Sequence, residues 1–245
     1  MEQTQLPMHV AIIPDGNRRW AKERGKPGFE GHLEGAKRFR EISKTAFEMG
    51  IRYFTFWGAS IDNLEKRSPE EVRFLVELLK EELGNGRFLR ECLENKIRFR
   101  MPGMWHEILK DEALFRIVAN VEGKTCCFNG RHLTLLFGYS GEQEMIEAIS
   151  DLCESAKDGF NYPKINAGWI KSFLRTCFLP PVDLVVRTGA CEEGPNWSHN
   201  SSGFMIWLVT DAKVYSPPTL WPDFTVEMFR QTIADYSKAP RRFGA

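Results

Sequence analysis

The chain has 245 residues, of which 42% are hydrophobic and 27% charged, as is typical of one large globular domain or two small ones. Its 33 basic residues balance 33 acidic ones, so no overall charge attracts nucleic acid or an anionic membrane. Residues 1–7 lack the features of a secretory signal, and no apolar run is long enough to span a bilayer. Six cysteines without a CxxC spacing indicate reduced thiols, which favours a cytoplasmic protein.

Predicted strands alternate with predicted helices along the chain. The apolar run 9–14 predicts a buried parallel strand, and apolar residues at helical spacing predict a helix over 31–49 that ends at Gly50. Further strands are predicted over 51–57, 97–101, 132–137 and 182–186, and further helices near 105–120, 142–156 and 166–176. This alternation predicts an α/β fold with a central, mostly parallel sheet flanked by helices. No linker or repeat interrupts it, so residues 1–245 are predicted to form a single domain.

One helix start is marked by a capping pattern. Ser68, Pro69 and Glu71 take the N-cap, N1 and N3 positions that begin a helix, with Glu71 closing a capping box. The helix continues through Leu83, and the glycines at 84 and 86 interrupt or end it.

Polar segments follow the predicted strands and converge at one edge of the predicted sheet. These segments are 15–19, 58–63, 138–141 and 187–203. Open α/β sheets bind ligands beyond the carboxyl ends of their strands. We therefore expect the ligand site at this edge.

The segment Asp15-Gly16-Asn17-Arg18-Arg19-Trp20 joins the first predicted strand to the N-terminus of a predicted helix. Free backbone N–H groups and two guanidiniums at such a turn can hold a diphosphate, and the Asp15 carboxylate can bind Mg²⁺. A plain strand-to-helix turn with a solvated arginine pair accounts for the same residues. Taken alone, the pattern leaves both interpretations open.

The neighbouring residues resemble a known family. Residues 9–37 read HVAIIPDGNRRWAKERGKPGFEGHLEGAK and resemble the opening segment of the cis-prenyltransferase (undecaprenyl diphosphate synthase) family. Four further segments resemble later parts of that family in the same order: Ser60-Ile61-Asp62-Asn63 with Arg67 and Glu71, residues 183–189 (DLVVRTG), residues 221–224 (WPDF), and residues 242–244 (RFG).

The resemblance implies a fold, a chemistry and a set of partners. The fold has a hydrophobic tunnel beside the sheet for the prenyl chain. The reaction is Mg²⁺-assisted ionisation of an allylic prenyl diphosphate, followed by attack of an alkene and loss of a proton. The partners implied are prenyl diphosphate substrates and a second copy of the chain, with no nucleic acid and at most peripheral membrane contact.

The resemblance also implies roles for individual residues. Asp15 is the metal ligand and a catalytic residue, together with His32 and Asn63. Without the resemblance, His32 could equally be a structural histidine, Asn63 a helix cap and Ser60 a turn residue. The expected substrate-binding residues are Gly16, Asn17, Arg18, Arg19, Trp20, Ser60, Arg67, Arg187, Asn200, Ser202 and Lys213, with Arg242 and Gly244 reaching the partner's site.

The chain departs from the family's pattern at four places. Gly28 stands where an arginine is expected, Asn200 is nearest to the place of a second arginine, and Lys213 replaces a metal-binding glutamate. Residues 138–142 read Gly-Tyr-Ser-Gly-Glu in place of Asn-Tyr-Gly-Gly-Arg. Lys213 is interpreted as a substitute contact to the second diphosphate, or as part of a solvated loop.

Three functions remain open at this point. The first is a prenyltransferase with an altered second substrate or non-head-to-tail joining. The second is a terpene synthase-like lyase, and the third is a non-catalytic partner subunit of a prenyltransferase. The third is disfavoured because a dead subunit does not need an intact ionising site, and the chain retains Asp15, Asn17, Arg19, His32, Asn63 and Arg67. The first is the function that we predict.

Overall fold

A six-stranded parallel sheet forms the centre of the protein in a computed structural model that describes residues 6–157, 166–189 and 203–239. The strand order is β3-β4-β2-β1-β5-β6, and every neighbouring pair is parallel. The strands are β1 His9–Ile13, β2 Tyr53–Ala59, β3 Ile97–Arg100, β4 Arg131–Phe137, β5 Leu184–Arg187 and β6 Lys213–Tyr215. The predicted α/β class and parallel sheet are confirmed.

Helices connect the strands and cover the sheet. They are α1 Asn17–Glu23, α2 Gly28–Glu48, α3 Ile61–Lys66, α4 Pro69–Gly84, α5 Arg87–Glu94, α6 Trp105–Leu109, α7 Glu112–Thr125, α8 Gly141–Lys157, α9 Ala167–Ser172 and α10 Val226–Lys238. Within the described ranges, none of them is long and apolar enough to cross a membrane.

The helix predicted near 105–120 is two helices. Lys110 ends α6 in the left-handed conformation, with φ of 52°. The Asp111 carboxylate then caps α7 by accepting the Leu114 backbone N–H at 2.9 Å. The sequence interpretation overlooked this cap because apolar residues continue at helical spacing on both sides of it.

The strands are buried on both faces. Val10 and Ile12 face a large apolar cluster with α2, α4, α7 and α10, whereas Ala11 and Ile13 face a smaller cluster that contains Phe204 and other residues of the segment before β6. Because successive side chains of a strand point to opposite faces, a strand covered on both sides reads as a continuous apolar run. This explains why β1 could be recognised in the sequence.

His9 is a buried polar group in this apolar strand. Its Nδ1 lies 3.0 Å from the Pro180 carbonyl oxygen, and its Nε2 lies 2.9 Å from Thr55 Oγ1. Because a carbonyl oxygen only accepts, Nδ1 carries the proton and Nε2 accepts from the Thr55 hydroxyl. The ring is therefore neutral, and burial lowers the pKa of His9 from 6.5 to about 4.

We expect acid to destabilise the protein through His9. In the unfolded chain His9 binds a proton below about pH 6.5, whereas in the folded chain it does so only below about pH 4. The free energy of unfolding therefore falls as the pH falls through this window. The loss should reach about 3 kcal/mol at its lower end. Urea unfolding measures it. His9→Gln should reduce the pH dependence, with the remainder coming from His32 and His132, whose pKa values burial also lowers, and His106→Gln, on α6, should leave it unchanged. A wild-type stability independent of pH across the window would contradict this account.

Candidate active site

The turn between β1 and α1 lies at the carboxyl edge of the sheet and is fixed by residues from the far end of the chain. The Asp15 backbone carbonyl accepts hydrogen bonds from the Trp221 N–H at 3.0 Å and the Thr188 hydroxyl at 2.9 Å. Gly16 follows with φ of 110°, and a Cβ there would stand 2.7 Å from Leu220 Cδ2. Both the backbone conformation and the space therefore require glycine at position 16.

Asp15 lies between two arginines. Its Oδ1 is 3.4 Å from Arg19 Nη2, and its Oδ2 is 3.6 Å from Arg187 Nη2. The Asp15 side chain is 44% exposed, so a ligand can reach it from solvent. Arg19 is held in place by a 2.7 Å hydrogen bond to the Gly189 carbonyl oxygen. One carboxylate and two guanidiniums thus meet at the end of β1 and β5.

A second charged cluster surrounds Glu71, on the first turn of α4. Its carboxylate lies 3.0 Å from Arg67 Nη1, 3.2 Å from His32 Nε2 and 3.7 Å from Arg18 Nη1. Three basic side chains from α1, α2 and the end of α3 therefore converge on one acid. We call Arg18, His32, Arg67 and Glu71 the Glu71 cluster.

His32 is neutral in the Glu71 cluster. Burial lowers the pKa of its ring, and the positive charge of Arg67 lowers the pKa further. Since the Glu71 carboxylate only accepts, the ring proton is on Nε2. Nδ1 of His32 is therefore left as an acceptor.

Two buried polar atoms of this region have no hydrogen-bond partner. They are Oδ1 of Asn17, at the start of α1, and Nε of Arg67. Buried polar groups are nearly always hydrogen-bonded, and exceptions in native structures are often found at sites that bind a ligand. The two atoms therefore support a ligand site between α1 and the Glu71 cluster.

Arg18 lies beside the glycine that replaces an expected arginine. A Cβ built on Gly28 would lie 4.0 Å from Arg18 Cγ, and the Arg18 side chain is 64% exposed. A Cβ at this distance makes an ordinary van der Waals contact, so Arg18 does not itself require glycine at position 28. A guanidinium is present at this place, supplied by α1 instead of α2.

Ser60 and Asn63 form a capping box at the start of α3. The Ser60 hydroxyl accepts the Asn63 N–H at 3.0 Å, and the Ser60 N–H donates to Asn63 Oδ1 at 3.3 Å. The structure thus shows the capping role that the sequence allowed for both residues. Only the amide N–H₂ group of Asn63 is left to donate to a substrate, so its catalytic role stays a prediction.

An apolar cavity begins at these charged groups. It has a volume of about 120 Å³ and lies between the sheet, α2 and α4. Asn17 and His32 line its polar mouth. Its apolar wall consists of Pro14, Ala36, Phe39, Phe56, Leu75, Leu78, Leu79, Leu83, Phe88, Leu135, Phe137 and Trp221.

Two predicted substrate-binding residues do not join this site. Trp20 is buried, donates its indole N–H to Asp223 Oδ1 at 2.7 Å and packs under Arg24. Lys213 pairs with Leu184 at the amino end of β5, whereas Arg187 ends that strand. The Lys213 ammonium instead donates to the Ala239 carbonyl oxygen at 2.9 Å and lies 5.0 Å from the Tyr236 ring. The role of Lys213 as a diphosphate contact stays a prediction.

Four predicted residues lie outside the described residues: Asn200, Ser202, Arg242 and Gly244. Glu71, by contrast, is central to the cluster but was predicted only as part of a helix cap and of a segment that resembles the family, with no role at the site. Ser68 does accept the Glu71 N–H at 3.3 Å, yet the Glu71 carboxylate turns to the basic cluster instead of closing the capping box. The spacing of Arg67 and Glu71 does not indicate this contact by itself, because Arg67 ends α3 with extended backbone and precedes the Ser68 cap of α4.

Comparison with known proteins shows the family. Residues 13–244 match the prenyltransferase family described as undecaprenyl diphosphate synthase. The isoprenyl transferase of Thermotoga maritima is 34% identical over 98% of this chain and 97% of its own length. The geranylgeranyl-diphosphate-specific tritrans,polycis-undecaprenyl-diphosphate synthase of Thermoplasma volcanium is 32% identical over 97% of this chain and 89% of its own.

A solved structure agrees with these matches. Lavandulyl diphosphate synthase from Lavandula x intermedia, in complex with dimethylallyl diphosphate, superposes with a TM-score of 0.88. It is 28% identical and covers 98% of this chain and 99% of its own. The protein therefore belongs to the undecaprenyl diphosphate synthase family, and it is a prenyl-transferring enzyme of isoprenoid biosynthesis.

Proposed function

We propose that the enzyme ionises an allylic prenyl diphosphate and joins its prenyl group to a second isoprenoid diphosphate that differs from the usual acceptor or is joined other than head to tail. One observation carries this proposal. Two clusters of arginines stand at the mouth of an apolar cavity. A diphosphate fits the charged mouth and a hydrocarbon fits the cavity, which are the two halves of a prenyl diphosphate.

The basic side chains stabilise the departing diphosphate. Arg18, Arg19 and Arg67 surround the space in front of α1 and can share the charge that develops on its oxygens. A hydrogen bond between charged groups contributes about 1.5–3 kcal/mol. Because these donors are already held by Glu71 and Gly189, little reorganisation is needed when the bond to the prenyl carbon breaks.

His32 can receive the proton that the condensation releases. Its Nδ1 is an acceptor, and the Nε2–H bond to Glu71 stabilises the protonated ring. A carboxylate that orients a histidine in this way is a common arrangement in general base catalysis.

Mg²⁺ fits the donor set as a substrate-bound ion. No group of three or more His, Cys, Asp or Glu side chains among residues 6–157, 166–189 and 203–239 could hold a metal alone. Mg²⁺, however, is commonly held by one or two carboxylates together with substrate phosphates. Asp15 would be its protein ligand, and the ion would supply additional charge stabilisation for the diphosphate.

The second substrate is where we expect a departure from ordinary elongation. Of the residues predicted to hold it, Arg187 lies 3.6 Å from Asp15, whereas the Lys213 ammonium donates to the Ala239 carbonyl oxygen, which supports a weaker second site. The similarity to a lavandulyl diphosphate synthase with bound dimethylallyl diphosphate supports dimethylallyl diphosphate as an acceptor. With fewer fixed cations, this second site would select its diphosphate less strictly than paired guanidiniums do.

We further propose that the enzyme is a cytoplasmic homodimer formed from single-domain subunits. β6 is the edge strand of the sheet, and it exposes the side chains of Val214 and Tyr215. An edge strand with exposed apolar side chains is suited to pairing with a second copy. Light scattering should give twice the subunit mass of 28.3 kDa, and a monomer would overturn this part of the proposal.

The function is tested by incubation with Mg²⁺ and labelled dimethylallyl, geranyl, farnesyl or geranylgeranyl diphosphate, each with and without isopentenyl diphosphate. We expect a condensation product from dimethylallyl diphosphate, identified by chromatography and mass spectrometry. Efficient elongation of farnesyl diphosphate by isopentenyl diphosphate would show an ordinary elongating enzyme. A hydrocarbon or alcohol from one substrate would show a lyase, and the absence of any product would show a non-catalytic subunit.

A further inference from the structure

The apolar cavity ends at a charged pair. Two of the contacts between α2 and α4 involve charged side chains: His32 with Glu71 at the mouth, and Arg40 with Glu82 further along both helices. Arg40 and Glu82 both line the cavity, and their side chains are only 30% and 29% exposed. The cavity is therefore apolar along its length and charged at its far end.

The two contacts give the length of the cavity. His32 and Arg40 are eight residues apart on α2, and Glu71 and Glu82 are eleven apart on α4. At a rise of about 1.5 Å per residue, these separations correspond to about 12 and 16 Å. An isoprene unit adds four chain bonds of about 1.5 Å each, or about 5 Å when extended, so about two to three units fit.

A second, larger space lies behind the charged pair. A groove of about 710 Å³ runs between α2, α5 and the sheet, and Phe39, Arg40 and Phe88 line both this groove and the cavity. These three side chains, with Glu82, form a wall between the two spaces. We call Phe39, Arg40, Glu82 and Phe88 the end wall.

The charges make the end wall a stop for hydrocarbon. A prenyl chain that pushed between Arg40 and Glu82 would separate two paired charges in a partly buried place, and a buried charge without its partner is strongly unfavourable. The chain end gains nothing in return, since a charged pair offers it no apolar surface. Phe39 and Phe88 close the remaining space beside the pair.

We infer that the Arg40–Glu82 pair limits the hydrocarbon to about two to three isoprene units, so that the enzyme takes and makes short-chain prenyl diphosphates. This inference rests on the proposed function and specifies its substrate class. It distinguishes the chain from the relatives whose names specify undecaprenyl diphosphate.

The test is the binding of unreactive prenyl thiolodiphosphates of increasing length, measured by calorimetry with Mg²⁺ present. Wild-type protein should bind the geranyl and farnesyl compounds, and the geranylgeranyl compound at least about tenfold more weakly than the farnesyl one, a difference of about 1.4 kcal/mol. The double variant Arg40→Ala/Glu82→Ala removes both charges without leaving either unpaired. It should bind the geranylgeranyl compound about as well as the farnesyl one, with geranyl binding unchanged.

The control is Lys44→Ala/Glu48→Ala, which removes an exposed pair from the same helix and should keep the wild-type preference. If the double variant does not fold, Phe88→Ala opens the end wall from α5 and should relax the preference in the same way. Equal binding of all three lengths by the wild type, or an unchanged preference in a folded opened variant, would overturn the inference. Binding of none of them more tightly than inorganic diphosphate would instead overturn the proposed function.

Discussion

Asp15→Asn should abolish turnover while leaving the fold intact. The substitution keeps the shape of the side chain, and the backbone contacts that fix residue 15 come from its carbonyl oxygen and are retained. It removes the one carboxylate between Arg19 and Arg187 and with it the proposed metal ligand. We expect kcat to fall at least about 100-fold, as when a group that stabilises a transition-state charge is lost.

A measurement of diphosphate binding distinguishes the loss of a metal ligand at Asp15 from a general disruption of the site. Without the carboxylate, Arg19 and Arg187 are released for anions, so the variant should bind inorganic diphosphate in the absence of Mg²⁺ at least as tightly as the wild type does. Asp62→Asn is the control, because it removes an exposed carboxylate of α3 that pairs with Lys66. Near-normal turnover in folded Asp15→Asn protein would reject the assigned role.

Gly31→Ala should impair both stability and activity. Gly31 lies where α2 crosses the start of α1, and a Cβ there would overlap the Asn17 backbone carbonyl. Because backbone cannot rotate out of the way as a side chain can, α1 must shift. Overpacking of this kind commonly lowers the free energy of unfolding by about 1–3 kcal/mol. The shift of α1 would also move Asn17, Arg18 and Arg19 out of position, which should lower the activity.

Gly123→Ala, in α7, is the matched control. A Cβ there meets nothing within 4 Å, so the higher helix propensity of alanine should stabilise the protein by up to about 1 kcal/mol. Thermal unfolding and the specific activity of both variants measure the difference. A Gly31→Ala protein as stable and active as the wild type would show that α1 is not held against α2 in this way.

The sequence predicted the sheet well because its strands are buried on both faces and read as apolar runs. It predicted Asp15, Arg19, His32 and Arg67 as site residues because they follow predicted strands or belong to segments that resemble a family. It did not predict β6, which has only three residues, or α10, which was overlooked although it is as amphipathic as helices that were predicted.

The contacts of two predicted site residues could not be read from the sequence, for a physical reason. Trp20 and Lys213 lie in segments that resemble family motifs, but a motif does not specify where each side chain points. Register and tertiary hydrogen bonds place both away from the cavity. The Arg40–Glu82 pair was not predicted because its members are 42 residues apart and are neighbours only once α2 and α4 pack side by side.

The candidate site is held together by hydrogen bonds between residues that are distant in sequence, and this affects when the site forms during synthesis of the chain. The Asp15 carbonyl depends on Thr188 and Trp221, and the Trp221 indole N–H donates to the Gly35 carbonyl oxygen across 186 positions. Closing loops of this size is slow and comes late in folding. We therefore expect a nascent chain to have no working diphosphate site until nearly all of it has left the ribosome, which keeps incomplete chains from reacting with prenyl diphosphates.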